Sequence, residues 1–342
     1  MYQSIKLEKF TAFEDLEMIF SPGINIFVGA NGTGKTHILK LIYAASDITR
    51  SQKSLTEKIN KVFLPSKEQI GRLVKRSSVS SKGYVEWKRT LPEGDSIKTR
   101  ITLSNHTKTA DGVKPSGSYR RWMEEELQAV YIPVKDMMAN APGFRSLYSQ
   151  RHIHFEEVYA DIIDRVFLGT LKGPTDAKRK KILKILQDAM DGKVITKNEE
   201  FFLKNRQGEL EFTLLAEGIR KLALLWVLIQ NGTLLQGAVL CWDEPETNLN
   251  PRLMKTVVAI LIELQRLGVQ IFLSTHDYVI LKEFDLQSEE QDRVRYHAFS
   301  HSDEENKIVV DSTDQYLAIS PNTIDETFSD LVNREIDRTM VE

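Results

Sequence analysis

Cysteine occurs once in this chain, at Cys241. A single thiol excludes a disulfide framework and any zinc site built from cysteines, and it fits a reducing compartment. Cys241 sits inside an apolar run, where it reads as a small core residue. No apolar stretch approaches the roughly 20 residues that span a bilayer. The longest, Leu222 to Ile229, is far shorter, so no membrane association is expected. The opening MYQSIKLEKF has no apolar centre and is not a secretory leader, which makes a cytoplasmic location the expectation. Internal repeats and low-complexity tracts are absent. Net charge is also nearly absent, at −2 over 342 residues, so the whole chain carries no global nucleic-acid signature.

The near-neutral total hides an asymmetry. From Arg50 to Arg121 there are 17 Lys and Arg against 6 Asp and Glu, a local excess of +11 that leaves −13 for the remainder. This basic stretch is the candidate for touching DNA. The same charge also fits a solvated hairpin that rests on an acidic neighbour, and no base-reading motif decides between the two. The hydrophobic content of 41% is enough for one large or two modest cored domains.

The one stretch around which the chain is organised is Gly29-Ala30-Asn31-Gly32-Thr33-Gly34-Lys35-Thr36. It fits G-x-x-x-x-G-K-[ST] at every fixed position. Ile24 to Val28 before it reads as a short strand, and His37 to Ala45 after it as a helix. In that setting the glycines let backbone N–H groups converge on phosphate oxygens. The helix start adds partial positive charge. Lys35 is expected to reach the β and γ phosphates, and the Thr36 hydroxyl to ligate Mg²⁺. The cofactor-contacting set is therefore Gly29 to Thr36 together with His37.

A second motif supports the first. Ala238 to Trp242 is a continuous apolar run of the kind buried in parallel sheets, and it ends in Asp243-Glu244-Pro245. Asp243 is expected to hold Mg²⁺ directly or through water, and Glu244 to act as general base on the attacking water. Val269 to Leu273 is another buried strand, and Ser274-Thr275-His276 follows it. His276 can reach the γ-phosphate or the water. The catalytic candidates are Glu244, His276 and Lys35.

The remaining pattern places strands at Ser4–Phe10, Leu16–Phe20, Tyr84–Leu91, Ser96–Leu103, Leu127–Ile132, Gly192–Thr196, Phe201–Leu203, Glu209–Leu214, Val294–Phe299 and Lys307–Val310. Helices are expected at Phe155–Phe167, Ala177–Met190, Ala216–Gln230, Pro251–Leu267 and Ile324–Arg338. Ser46–Ser78 reads as weakly helical, and Asn105–Tyr119 and Val134–Gln150 as loops. The run Lys178-Arg179-Lys180-Lys181 reads as a solvated helix face. Strands alternating with helices around a phosphate loop predict an α/β fold, a P-loop NTPase with a mixed sheet flanked by helices.

The two motifs, with Asn248-Leu249-Asn250-Pro251 and Ser274-Thr275-His276, resemble the ATP-binding-cassette class. Within it the chain is similar to the heads of structural-maintenance-of-chromosomes and recombination-repair proteins. It also resembles the bacterial AAA-family ATPases related to the overcoming-lysogenization-defect nucleases of anti-phage defence. The resemblance covers residues 1–46 and roughly 127–285. It implies a discontinuous ATPase head of residues 1–46 and 127–342, with a helical insertion at about 150–192 and an inserted basic β-rich and helical lobe at 47–126. It puts a signature loop at Leu215 to Lys221 and a Q-loop-like segment at Tyr131 to Met137. It further implies an ATP-bridged homodimer or larger homo-oligomer in which Gly218 of one head faces the phosphate loop of the other. Ala216 and Glu217 depart from the usual L-S-G-G-Q, which predicts weak contact in trans and slow hydrolysis, with Glu217 neutralised by Arg220 or Lys221. Only 66 residues follow His276, too few for a topoisomerase–primase nuclease domain. The expected function is an ATP-driven switch or sensor that controls a separate effector, a nuclease or toxin, with DNA at the 50–121 stretch. The alternative is an ATP-bound scaffold with little turnover. A transporter subunit is disfavoured by the signature, the basic stretch and the length.

Overall fold

The computed structural model describes residues 1–151, 153–302 and 307–341. Its strands are β1 (Tyr2–Phe10), β2 (Phe13–Ile19), β3 (Ile24–Gly29), β4 (Lys82–Thr90), β5 (Ser96–Ser104), β6 (Ser116–Gly117), β7 (Ala129–Ile132), β8 (Lys193–Lys197), β9 (Glu200–Asn205), β10 (Gly208–Glu211), β11 (Val239–Asp243), β12 (Gln270–Thr275), β13 (Val294–His301) and β14 (Ile308–Thr313). Its helices are α1 (Lys35–Ser51), α2 (Leu55–Phe63), α3 (Tyr119–Glu124), α4 (Phe144–Arg151), α5 (Glu157–Val166), α6 (Ala177–Met190), α7 (Glu217–Gln230), α8 (Pro251–Arg266), α9 (Tyr278–Gln287) and α10 (Thr323–Val341).

A six-stranded sheet runs β14-β13-β3-β12-β11-β7, parallel except for the antiparallel edge strand β14. An antiparallel five-stranded sheet runs β2-β1-β4-β5-β6. A small antiparallel sheet is made by β10-β9-β8. The helix α1 lies between the two large sheets and is buried along most of its length. Trp87 and Trp122 each donate an indole N–H to its backbone, at Leu41 O (3.2 Å) and Ala45 O (2.7 Å). These bonds satisfy the polar edge of two large apolar rings, as burial requires.

The central strands are covered on both faces, so they are apolar throughout rather than alternating. Phe27, Phe272 and Cys241 face α1 and the antiparallel sheet, while Ile26, Leu240, Trp242 and Leu273 face α7 and α8. Gln270 ties the two sheets: it accepts from the Tyr2 N–H (2.7 Å) and donates to Tyr2 O (2.9 Å) and Ser21 O (2.8 Å). Among the described residues no helix is long and apolar enough to cross a membrane.

Residues 47–126, expected as an inserted lobe, share a sheet with the N-terminal strands: β4 pairs with β1 from Tyr2↔Arg89 to Glu8↔Tyr84. Part of their positive charge is met on the spot. Lys98 and Arg100 pair with Glu86, Arg121 with Glu93 and Asp95, Lys75 with Glu14, and Lys61 with Glu68. Four local readings change. The segment 134–150, expected as a loop, contains the start of α4. The 105–119 loop contributes the short strand β6. The strand expected over Glu209–Leu214 stops at Glu211 and continues as a 3-10 turn. In the basic run of α6, Arg179 is buried, not solvated: its guanidinium donates to Ile229 O (3.0 Å) and Gln230 O (2.6 Å), carbonyls in the last turn of α7. A further helix, α9, is capped by Asp277, whose side chain accepts from the Ile280 N–H (2.8 Å).

Candidate nucleotide-binding site

The loop between β3 and α1 is held open by glycines at positions no other residue fits. Gly29 has φ 138°, and an added Cβ would lie 2.1 Å from Phe299 O on the neighbouring strand β13. Gly34 has φ 88° and would press a Cβ to 2.5 Å from the Phe13 ring. The loop therefore closes tightly under Phe13 and hands directly into α1, whose first-turn N–H groups have no partner within the helix. Ala30, Asn31 and Gly32 stand exposed at the loop's crest, while the buried Thr33 ties its hydroxyl to Ala30 O at 2.8 Å.

Lys35 folds over this loop, donating to Gly29 O (2.7 Å) and Ala30 O (2.8 Å). Burial lowers its pKa to about 8, against the opposing pull of Glu244, Asp243 and Glu246. A desolvated ammonium beside an anion-seeking backbone loop gains by meeting phosphate, whereas the three carboxylates would repel one unless a cation stood between them.

Three parallel strand ends bring the acidic side of the site together. The β11 register sets Asp243 beside Ser274 of β12 and Cys241 beside Tyr131 of β7. Asp243 Oδ1 accepts from Thr36 Oγ1 (3.1 Å) and Ser274 Oγ (2.5 Å), and its Oδ2 accepts from the Tyr131 hydroxyl (3.1 Å). The expected metal pair, Thr36 and Asp243, is thus in direct contact. A hydroxyl and a carboxylate form the hard oxygen set that suits Mg²⁺, with phosphate oxygens and water supplying the rest.

Glu244 follows with φ 47°, its N–H donating to Ser274 O at 3.1 Å. Its Oε2 accepts from Thr247 Oγ1 (3.2 Å), and its Oε1 lies 3.6 Å from His276 Nε2. Burial, then the Lys35 charge, holds the His276 imidazole below its ordinary pKa. Lys35, Thr36, Asp243, Glu244 and His276 therefore gather at one mouth above the parallel sheet, the usual place for a ligand in this architecture.

Two expected contacts fall elsewhere. The His37 ring turns away from the loop and packs on Phe63 of α2 (centroids 5.5 Å apart), and burial lowers its pKa to about 4. Only its backbone belongs to the loop, donating to Gly34 O at 3.0 Å. Gly218, in the first turn of α7, packs within this chain on the segment after the acid pair, where a Cβ would lie 3.1 Å from Asn248 O. Glu217 is met by neither Arg220 nor Lys221. Its Oε2 accepts from Asn248 Nδ2 (2.8 Å), while Arg220 pairs with Asp136 (3.0 Å) and Lys221 donates to Thr247 O (2.5 Å). The loop 244–248 takes both Glu217 and Lys221, and Arg220 turns instead to Asp136 and Phe212 O.

Sequence reasoning missed Glu246. Its Oε1 accepts from the His276 N–H (2.7 Å) and Thr275 Oγ1 (2.9 Å). The available signal was a third carboxylate two residues beyond the acid pair. It also missed Ser274 and the Tyr131 hydroxyl as partners of Asp243.

The sequence matches, over residues 24–282, the family described as "AAA domain, putative AbiEii toxin, Type IV TA system". It is similar to the DNA replication and repair protein RecF of Streptococcus agalactiae serotype Ia, 34% identical over 109 residues, which are 32% of this chain and 27% of that one. RecF of Lactococcus lactis subsp. lactis is 28% identical over 204 residues, 55% of each chain. The chain thus spans between a quarter and about half of the length of these curated relatives. Among solved structures, an Smc head bound to the C-winged helix domain of ScpA superposes with a TM-score of 0.61 at 15% identity, covering 93% of this chain and 99% of that one. The SMC head domain from Thermotoga maritima gives 0.52 at 12% identity, covering 91% and 98%. The fold is that of an SMC-like head.

Proposed function

The chain belongs to the AAA-domain family just described, and from that premise we propose that it is an ATP-binding and hydrolysing switch subunit that controls a separate effector. The observation that carries this is the 3.1 Å contact between Thr36 Oγ1 and Asp243 Oδ1, which joins the phosphate loop to the acid pair at one mouth. Lys35 and the backbone N–H groups from Gly29 to Thr36 bind the phosphates. Thr36 and Asp243 hold Mg²⁺, which when bound neutralises phosphate charge. Glu244 accepts a proton from the attacking water, and His276, 3.6 Å from Glu244 Oε1, orients that carboxylate and reads the terminal phosphate.

Two such heads associate around ATP as a homodimer or larger homo-oligomer, with Gly218 of one at the phosphate loop of the other. This pairing rests on the resemblance to ATP-binding-cassette heads; Gly218 itself is buried against Asn248 O and Leu249 of its own chain, a segment that has to move aside for the contact. Hydrolysis is slow, because Ala216 at the start of α7 has no hydroxyl to offer. The setting we infer is a bacterial DNA-maintenance or anti-phage defence complex of the overcoming-lysogenization-defect type, with a nuclease or toxin as effector. It rests on the likeness to a family that includes a putative toxin and to the DNA replication and repair protein RecF. The 50–121 stretch contacts DNA through cations outside the ion pairs described above. Such contact would lose affinity steeply with salt, by about 0.9 in log–log slope per neutralised phosphate.

The test is mass measurement of the chain with and without ATP and Mg²⁺, and of whatever co-purifies with it when its genomic neighbours are co-expressed. ATP-dependent doubling of mass and a bound effector are expected. A mass indifferent to ATP, with no partner retained, would remove the switch and leave the ATP-bound scaffold.

A further inference from the structure

We propose that Glu246 is a positioning residue for His276, fixing the histidine from the backbone side while Glu244 faces its ring. This rests on the ATPase reading above. Glu246 touches neither the phosphate loop nor Asp243 among its hydrogen-bond partners, so its job differs from that of the acid pair. Its Oε1 takes the His276 N–H at 2.7 Å and the Thr275 hydroxyl at 2.9 Å, and Thr275 Oγ1 in turn accepts the Asp277 N–H at 3.0 Å. One oxygen therefore sets the backbone at the point where β12 turns towards α9. The opposite side of His276 looks at Glu244 Oε1, 3.6 Å from its Nε2.

Both carboxylates belong to one short segment, and that segment is anchored to α7. Lys221 Nζ donates to Thr247 O at 2.5 Å, Asn248 Nδ2 to Glu217 Oε2 at 2.8 Å, and Thr247 Oγ1 to Glu244 Oε2 at 3.2 Å. The start of α7, the base candidate and the histidine thus move as one body, and Glu246 is the link to the histidine. Without it, the loop 244–248 and the strand end at His276 would be held together near His276 by the Glu244 N–H on Ser274 alone.

The link needs an acceptor rather than a charge. Glu246 Oε2 is buried with no partner, and both bonds fall on Oε1. Burial also raises this carboxyl to about pKa 7, which fits a group whose bonds do not depend on ionisation. Glutamine can supply the same oxygen; alanine cannot, and leaves the His276 N–H unpaired in a half-buried site.

The experiment compares Glu246→Ala, Glu246→Gln and Glu244→Gln in the full chain. Steady-state turnover, affinity for a non-hydrolysable ATP analogue, and the His276 imidazole signal by NMR (assigned with His276→Asn) are read for each. Glu246→Ala is expected to lower kcat about 10-fold or more, with analogue affinity within about 2-fold, and to shift or broaden the His276 resonance. Glu246→Gln is expected to stay within about 3-fold of the parent with the resonance in place. Adding Glu246→Ala to His276→Ala should cost little more than His276→Ala alone. Unchanged kcat and resonance in Glu246→Ala would overturn the proposal. So would a loss in Glu246→Gln equal to that in Glu244→Gln, which would make Glu246 a charge-dependent catalytic group. If the parent does not hydrolyse ATP at all, the ATPase reading fails, while the NMR arm still decides whether Glu246 positions His276.

Discussion

Tyr131 donates its hydroxyl hydrogen to Asp243 Oδ2 across 3.1 Å, which leaves Oδ1 to Thr36 and Ser274. The carboxylate is thereby locked about its own axis by three hydroxyls from α1, β7 and β12. Tyr131→Phe keeps the ring against Tyr43, 5.6 Å away, and removes only the donor. A hydrogen bond to a charged group is worth about 1.5–3 kcal/mol, part of which the freed oxygen recovers from water. Titrating Mg²⁺ in a nucleotide-binding assay should show half-saturation rising about 3- to 10-fold, with metal-free binding unchanged. An equal loss with and without Mg²⁺ would mean that Tyr131 acts on packing instead.

Glu244→Gln removes the proton acceptor and keeps the shape. General bases contribute about 10²–10⁴-fold, so turnover should fall by at least about 100-fold while ATP affinity holds. The bond from Thr247 Oγ1 to Oε2 survives on the single amide oxygen, and the amide nitrogen then takes the place of the oxygen facing His276. Single-turnover hydrolysis of radiolabelled ATP measures the chemical step. Residual turnover within about 5-fold of the parent would remove Glu244 as the base.

Which parts of the site the chain order reveals follows from how each is built. Gly29 to Thr36 is contiguous and its chemistry lies in backbone geometry, so the segment can be recognised directly. Asp243 is equally visible, because an apolar strand ending in acids has few other uses. Tyr131 and Ser274 reach Asp243 only because three strands lie side by side in one register, and adjacency of β7, β11 and β12 is a tertiary fact. Glu246 was hidden for the same reason: its partner is a backbone N–H 30 residues away. The partners of the basic stretch are hidden for a like reason, since its counter-charges are cross-strand or distant, as with Arg100 on Glu86 and Lys75 on Glu14. Within the α6 run, four adjacent cations give no hint that Arg179 alone turns inward to the end of α7.

Lys58 is fully buried and stands 2.8 Å from Asp47 Oδ2 and 2.6 Å from Asp161 Oδ2, with Glu157 at 3.5 Å. Asp47 also takes Arg165 at 2.5 Å, and Tyr43 donates to Asp161 at 2.7 Å. These charges tie α1 and α2 to α5. Burial opposes the Lys58 charge, but the three carboxylates together raise its pKa above the ordinary value. Lys58→Met would leave those acids without their shared cation. Removing one partner of a buried pair costs about 3–5 kcal/mol, and a loss of that size is expected in urea unfolding. Adding Asp161→Asn should return part of it; a destabilisation below about 1 kcal/mol would show that the network is solvated.

His297 is fully buried in β13 between Phe20 and Phe27, and its ring meets Ser312 Oγ (2.7 Å) and Asn25 Oδ1 (3.3 Å). A neutral ring satisfies both, with Nε2–H donating to Asn25 and Nδ1 accepting from Ser312. Burial, then the neighbouring Arg295, lowers its pKa to about 3. Between that value and the ordinary 6.5 the unfolded chain binds a proton that the folded chain refuses. The stabilisation is therefore complete above pH 6.5 and is lost as pH falls towards 3. At pH 4.5 the loss from this residue should be on the order of 2 kcal/mol. Denaturant unfolding followed by tryptophan fluorescence at pH 7 and pH 4.5 measures it. His297→Gln, which cannot take up that proton, should show a smaller drop between the two pH values than the parent. Equal drops would mean that His297 protonates in place, and that the acid sensitivity of the fold lies with other groups.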